Sequence, residues 1–292
     1  MTHPAGPPMP PPHPGGPGGP RAVCVRHQDR PTGLACSRCG RPACTECLRE
    51  ASVGYQCVDC VSQGRRGVRR ATTIAGARPG TRPVVVPTLI ALNVAIYLWT
   101  VVQARSINGN AAAALFDEWA LVPVFVWAGE WWRVVTAGFL HIGLIHLVFN
   151  MMALWVLGRD METVLGRGRF LALYMVALLG GSAAVMVFQQ PNQAVAGASG
   201  AVFGLMGGLA VVLRRLRVPA GQVIGLIVVN VLISVLIPGI SLIGHLGGLV
   251  VGAGATAALV YAPPRSRTAV QTAALAGLTV LLLLVIAVTG LR

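Results

Sequence analysis

Long apolar runs separated by short polar segments dominate the chain from about residue 84 onward. They fall at about 84–104, 138–157, 169–188, 199–213, 221–237, 241–261 and 269–290, a pattern that predicts seven helical spans. Most approach the roughly 20 residues a helix needs to cross a hydrocarbon core of about 30 Å. The run 199–213 is the exception, because at a rise of about 1.5 Å per residue it extends only about 22 Å and is too short to cross alone. The pattern before residue 84 is different. Residues 1–20 are rich in Pro and Gly with no apolar segment, which predicts a disordered or polyproline-like tail and no cleavable signal sequence. Residues 21–62 carry cysteines at regular spacings, and 63–83 form an Arg-rich linker.

Composition agrees with the pattern: 54% of the 292 residues are hydrophobic and 11% are charged, outside the range of ordinary soluble domains. The expected solvent is a lipid bilayer, and the expected fold is an all-α polytopic membrane protein preceded by a small metal-stabilised module. The net charge is +14 and every basic residue is Arg. The arginines cluster beside the apolar runs, so they read as contacts to anionic lipid and not as a nucleic-acid surface. They also alternate. Arg65 to Arg82 precede the first span, Arg159, Arg167 and Arg169 lie between the second and third, Arg214, Arg215 and Arg217 between the fourth and fifth, and Arg265 and Arg267 between the sixth and seventh. The other connections are mixed in charge or uncharged. The positive-inside rule then puts the N-terminus in the cytoplasm and the C-terminus outside, with the cell membrane as the expected location.

All seven cysteines lie between residues 24 and 60, as Cys24-x2-His27, Cys36-x2-Cys39, Cys44-x2-Cys47 and Cys57-x2-Cys60. A two-residue gap lets both side chains of a pair reach one ion from a tight turn. Four ligands complete a tetrahedral shell, so eight predict two structural Zn2+. A disulfide framework fits less well, since the cysteine count is odd, the eighth position is His, and the segment is expected in the cytoplasm. Closed shells leave no open coordination position for catalysis, which makes the expected role structural, in a docking or regulatory module that would meet a protein partner. The order of pairs resembles B-box-type zinc modules. That resemblance implies a cross-brace grouping Cys24, His27, Cys44 and Cys47 on one ion, and Cys36, Cys39, Cys57 and Cys60 on the other.

Polar groups within spans are costly and are functional candidates by default: His141, His146 and Asn150 in the second span, Ser199 in the fourth and His245 in the sixth. With the topology above, these three spans run in the same direction and each candidate lies in the first half of its span. They share one depth, whereas the polar residues of a transporter would be spread along a path. The segment 194–198 before Ser199 must be non-helical backbone lining a cavity. Glycines 200, 204 and 208 and glycines 244, 248 and 252 form two small-residue seams that allow close helix packing, which would bring Ser199 and His245 to hydrogen-bond distance as a Ser-His dyad. No carboxylate is placed beside His245, so the imidazole is expected to be oriented by packing. Phe203 is either the ring that holds it or simple core. His146 and Asn150 lie four apart on one helix face, where they would stabilise an oxyanion or bond helix to helix.

The segment Glu130-Trp-Trp-Arg133, the His141-x4-His146-x3-Asn150 spacing, Gly197-Ala-Ser-Gly200, and His245 with Gly248 and Gly252 together resemble the rhomboid family of intramembrane serine proteases, over about residues 85–260. The resemblance implies a six-helix core at 84–262, Ser199 as nucleophile and His245 as general base. It further implies His146, Asn150 and backbone amides as oxyanion stabilisers, and transmembrane proteins as substrates. Glu130, Trp132 and Arg133 would be structural residues of a long loop, and 268–291 an additional C-terminal helix. Phe203 departs from the Tyr that several bacterial relatives carry. The alternative within the same shape is a catalytically inactive factor that binds membrane proteins, and such relatives are expected to lack the serine or the histidine.

Overall fold

The computed structural model describes residues 22–67 and 71–290. The tail at 1–20 therefore lies outside the described residues. The chain divides into two units, Met1–Arg70 and Ala71–Arg292.

In the first unit a short antiparallel hairpin, β1 (Leu48–Glu50) and β2 (Tyr55–Cys57), pairs Leu48 with Cys57 and Glu50 with Tyr55. Helix α1 (Val58–Gly67) follows directly. Gly40 and Gly54 turn the chain at φ +71° and +66°, a region that favours glycine. The buried apolar cluster consists of Ala43, Leu48 and six of the cysteines. A unit this small, with two aliphatic side chains at its centre, needs cross-linking or metal to hold its shape. Helix α1 continues past residue 62, so its last turn is built from residues expected in the linker.

The second unit is helical. Among the described residues six helices are long and apolar enough to cross a membrane: α2 (Val85–Ala104), α6 (Gly143–Leu165), α7 (Arg167–Phe188), α8 (Ser199–Leu216), α10 (Leu242–Val260) and α11 (Arg267–Thr289). Between α2 and α6 run three short helices, α3 (Ala114–Trp119), α4 (Pro123–Trp127) and α5 (Arg133–Thr136). The seventh apolar helix, α9 (Gly221–Leu236), has 16 residues. The short span is thus the fifth and not the fourth. Arg214, Arg215 and Leu216 extend α8 to 18 residues, because charged side chains at a helix end reach water without ending the helix.

Helix α7 lies at the centre, with Phe170, Leu173, Tyr174 and Val185 fully buried. Outward faces are apolar, as in Val148, Phe149 and Val156 on α6 and Leu281 and Leu284 on α11, the inside-out exposure expected where lipid is the solvent. Helices α7, α8 and α10 meet through glycine. A Cβ on Gly248 would overlap the carbonyl of Gly200, one on Gly252 would overlap the Gly204 backbone, and one on Gly247 would lie 2.6 Å from Gly180 O. The two predicted seams do meet, and α7 adds a third close approach through Gly180 and Gly181.

Buried polar groups fasten the bundle. Glu162, 2% exposed, accepts the backbone N–H groups of Val84, Val85 and Val86 at 2.7, 3.0 and 2.9 Å, capping α2. The apolar run ends near 157, but α6 continues eight residues beyond it and encloses Glu162. Gln271 donates to Ala75 O and Leu259 O and accepts from Arg169 Nε, fixing α11 to its neighbours. In the loop before α6, buried Arg133 donates to Glu130 Oε2 at 2.6 Å and to the carbonyls of Asp117 and Ala120 at 2.6 and 2.8 Å. Trp132 Nε1 donates to Glu118 O. Together these contacts stitch the short helices into one ordered segment.

Candidate functional site

The serine begins α8, and the turn before it is set by glycine. Gly197 has φ +133°, and a Cβ there would lie 2.8 Å from His146 Cε1 and 2.9 Å from Nε2, so the residue must lack a side chain both for its dihedral and for the ring beside it. The preceding segment is extended. Val195 and Leu121 exchange backbone hydrogen bonds at 2.9 and 3.0 Å, and Gly197 N donates to Ala137 O. Both backbone polar groups of Val195 and the N–H of Gly197 are therefore satisfied by protein, as irregular chain at membrane depth requires.

Ser199 Oγ lies 2.7 Å from His245 Nε2. The backbone contact of α8 with α10 creates this distance, since any side chain at 248 or 252 would hold the helices apart. Phe203 stacks on the His245 ring with centroids 4.1 Å apart and 16° between planes. The other ring nitrogen has a partner that sequence did not suggest. Ser234 Oγ, on α9, lies 2.7 Å from His245 Nδ1 and 2.7 Å from the Asn230 carbonyl. Packing alone was expected to orient the imidazole, whereas a hydroxyl from another helix also holds it. Hydroxyls in apolar helices carry no clear signal, because they can satisfy themselves on the i−4 carbonyl.

His146, on the first turn of α6, accepts from the Ile142 backbone N–H through Nδ1 at 3.2 Å. A neutral imidazole that accepts at Nδ1 carries its proton on Nε2, the atom packed against Gly197. Asn150 follows one turn on, 7% exposed, and donates from Nδ2 to His146 O at 3.0 Å, which leaves the amide a second N–H. His141 does not lie in the span as expected. It precedes α6, because Gly143, at φ +71°, starts that helix only after the turn. Its ring is buried, 5.1 Å from the His146 ring, with no hydrogen-bond partner for either nitrogen among the described residues. Asn110, another residue sequence missed, ties this turn down by donating to His141 O and Thr100 Oγ1 and accepting from Gly143 N. A cavity of about 40 Å3 adjoins the pair, lined in part by Gly197, Ser199, Ser182, Ser241 and His245. That exceeds the roughly 10–15 Å3 one water needs.

In the first unit the eight predicted ligands form two groups, Cys24, His27, Cys44 and Cys47, and Cys36, Cys39, Cys57 and Cys60. Within each, the donor atoms lie within 4.8 Å of one another, and each group could hold a metal ion. His27 Nδ1 lies 3.3 and 3.4 Å from Cys44 Sγ and Cys47 Sγ, and Cys39 Sγ lies 3.8 Å from Cys57 Sγ. A tetrahedron with metal–sulfur bonds of about 2.3 Å has an edge of about 3.8 Å, so the spacings fit. No disulfide forms among the described cysteines. Burial pushes the Cys24 thiol up, but backbone N–H groups led by that of Cys44 outweigh it and bring it to about 6; Cys36 behaves alike, with Cys57 as the leading donor. Burial, together with neighbouring thiolates, pushes Cys47 up to about 11. Thiols this crowded resist joint ionisation unless a cation lies between them.

Residues 128–263 match the family model described as the Rhomboid domain. The chain is 38% identical over 176 residues to the rhomboid protease GluP of Bacillus subtilis, covering 58% of this chain and 34% of that protein. It is 34% identical over 129 residues to RHOMBOID-like protein 4 of Arabidopsis thaliana, covering 42% and 32%. Against the rhomboid protease AarA of Providencia stuartii it is 26% identical over 211 residues, covering 62% and 74%. The chain thus spans about a third of the length of the first two relatives. The domain match, these relatives and the polytopic helical architecture together support the rhomboid family for this chain.

Proposed function

We propose that this chain is an intramembrane serine endopeptidase that hydrolyses a peptide bond within or near the outer end of transmembrane substrate helices. The observation that carries the reading is the 2.7 Å contact between Ser199 Oγ and His245 Nε2 at the meeting of two glycine-lined helices. Several relatives are named as rhomboid proteases, which supports the same chemistry at family level.

His245 Nε2 takes the Ser199 proton as Oγ attacks the scissile carbonyl carbon. The carbonyl oxygen becomes an oxyanion, for which His146 Nε2–H, the free N–H of Asn150 and the Ser199 backbone N–H are the available donors. Each such donor contributes about 3 kcal/mol to the transition state. The imidazolium then protonates the leaving amine, the C–N bond breaks, and an acyl-serine remains. A water held in the adjoining cavity gives a proton to His245 as its oxygen bonds to the acyl carbon; the acyl C–Oγ bond then breaks, His245 returns the proton to Ser199 Oγ, and the product leaves with a new carboxyl terminus. The substrate helix must unwind locally to present its carbonyl, so helix-weakening residues near the cut are expected in clients.

The two Cys/His groups are read as structural zinc sites, Cys24, His27, Cys44 and Cys47 holding one ion and Cys36, Cys39, Cys57 and Cys60 the other, in a B-box-like module. Soft thiolate and imidazole donors in fours favour Zn2+, which would supply folding free energy and no catalysis. The alternation of Arg-rich connections supports a multi-pass cell-membrane protein with this module in the cytoplasm and the serine opening outward.

The deciding experiment is cleavage of a fluorescent transmembrane model substrate by purified wild type, Ser199→Ala and His245→Ala, with alkyl-phosphonate labelling alongside. Cleavage by wild type alone supports the peptidase. A wild type that neither cuts nor labels at Ser199 favours an inactive binding factor of the same shape.

A further inference from the structure

We infer that Ser234, on α9, is a positioning residue for His245 that fixes which ring nitrogen carries the proton. The inference deepens the peptidase reading and rests on it for its kinetic consequence. Its structural basis is separate. Ser234 Oγ lies 2.7 Å from two groups, the Asn230 carbonyl and His245 Nδ1, and both Ser234 and His245 are buried.

The assignment follows from counting protons. A carbonyl can only accept, so the single hydroxyl proton of Ser234 goes to Asn230 O. The oxygen of Ser234 is then an acceptor toward Nδ1, and Nδ1 must carry a hydrogen. A neutral imidazole has one N–H, so Nε2 is left with its lone pair facing Ser199 Oγ at 2.7 Å. The whole chain then runs in one sense: Ser199 O–H to Nε2, Nδ1–H to Ser234 Oγ, and Ser234 O–H to Asn230 O. The opposite tautomer would turn the Ser234 proton toward Nδ1, give up the bond to Asn230 O, and point an N–H at Ser199 Oγ. In a buried, low-dielectric setting the forfeited bond is not replaced by water.

Two consequences follow for the reaction. The base is already unprotonated on the nitrogen that faces the nucleophile, and when Nε2 takes the serine proton the new positive charge is shared with a hydroxyl acceptor at Nδ1. A serine in this position does, without charge, what a carboxylate does as the third member of a catalytic triad. Phe203 fixes the plane of the ring by stacking, while Ser234 fixes its protonation; neither does the other's task.

The test uses full-length protein selectively labelled with 15N-histidine, in wild type, Ser234→Ala and Ser234→Thr, with the His245 signals assigned by their loss in His245→Gln. We expect wild-type His245 to be protonated at Nδ1, Ser234→Ala to give a mixture of tautomers, and Ser234→Thr, which keeps the hydroxyl, to restore the wild-type state. Cleavage of the model substrate should show kcat about tenfold lower in Ser234→Ala, the loss of one hydrogen bond, with KM unchanged and recovery in Ser234→Thr. Wild-type His245 protonated at Nε2 overturns the inference whatever the variants do. So does an unchanged tautomer or kcat in Ser234→Ala, or equal losses in Ala and Thr. If the tautomer behaves as expected while wild type neither cuts nor labels, the proton assignment stands and the peptidase reading falls.

Discussion

Gly252 on α10 lies against the backbone of Gly204 on α8 so closely that a Cβ at 252 would overlap the Gly204 Cα, C and O atoms. Backbone cannot rotate away as a side chain can, so Gly252→Ala must separate the helices. We expect a loss of about 1–3 kcal/mol or more, as for an overpacked core, together with loss of Ser199 labelling because the Ser199–His245 distance depends on this approach. Gly254→Ala, on the same helix with nothing within 4 Å of its Cβ position, should be neutral. Thermal unfolding in detergent and phosphonate labelling read both.

The donors on α6 distinguish an oxyanion site from helix-to-helix bonding. His146→Ala or Asn150→Ala should lower kcat about 10²–10³-fold if they stabilise the transition state, with the melting temperature little changed. A large drop in melting temperature with kcat per folded molecule preserved would assign them to packing instead.

Glu162 accepts three backbone N–H groups at the start of α2 and makes no contact with the dyad. Glu162→Ala leaves those donors without their partner, at a cost of about 1–3 kcal/mol. Ser199 labelling of the folded fraction should be unchanged, which a comparison of melting curves and labelling in one preparation will show.

Metal analysis of the purified protein should find two zinc ions per chain. Cys24→Ser and Cys36→Ser should each remove one, since they belong to different groups. Acidification or a strong chelator should release both, because protons and metal compete for the same lone pairs, and the first unit should lose its fold with them. A single ion in wild type would require a different grouping of ligands.

Much of this protein is determined by its sequence alone, because the signals concerned are local. The transfer free energy of each apolar run marks a helix, the C-x2-C spacing marks a pair of donors in one turn, and the glycines at every fourth position mark a seam where helices approach. Ser199, His245, His146 and Asn150 are legible as polar residues in apolar surroundings. Tertiary structure decided what depends on two remote segments meeting. Where α6 begins and ends follows from the turn at Gly143 and from the α2 N-terminus that Glu162 caps, so His141 falls outside the span and Glu162 inside. The grouping of the eight zinc-type donors depends on how the hairpin folds back, since C-x2-C spacing pairs ligands but cannot say which pairs share an ion. Ser234 is the clearest case. A hydroxyl bonded to its own helix is cheap anywhere in an apolar segment, and only the packing of α9 beside α10 turns its remaining lone pair toward an imidazole.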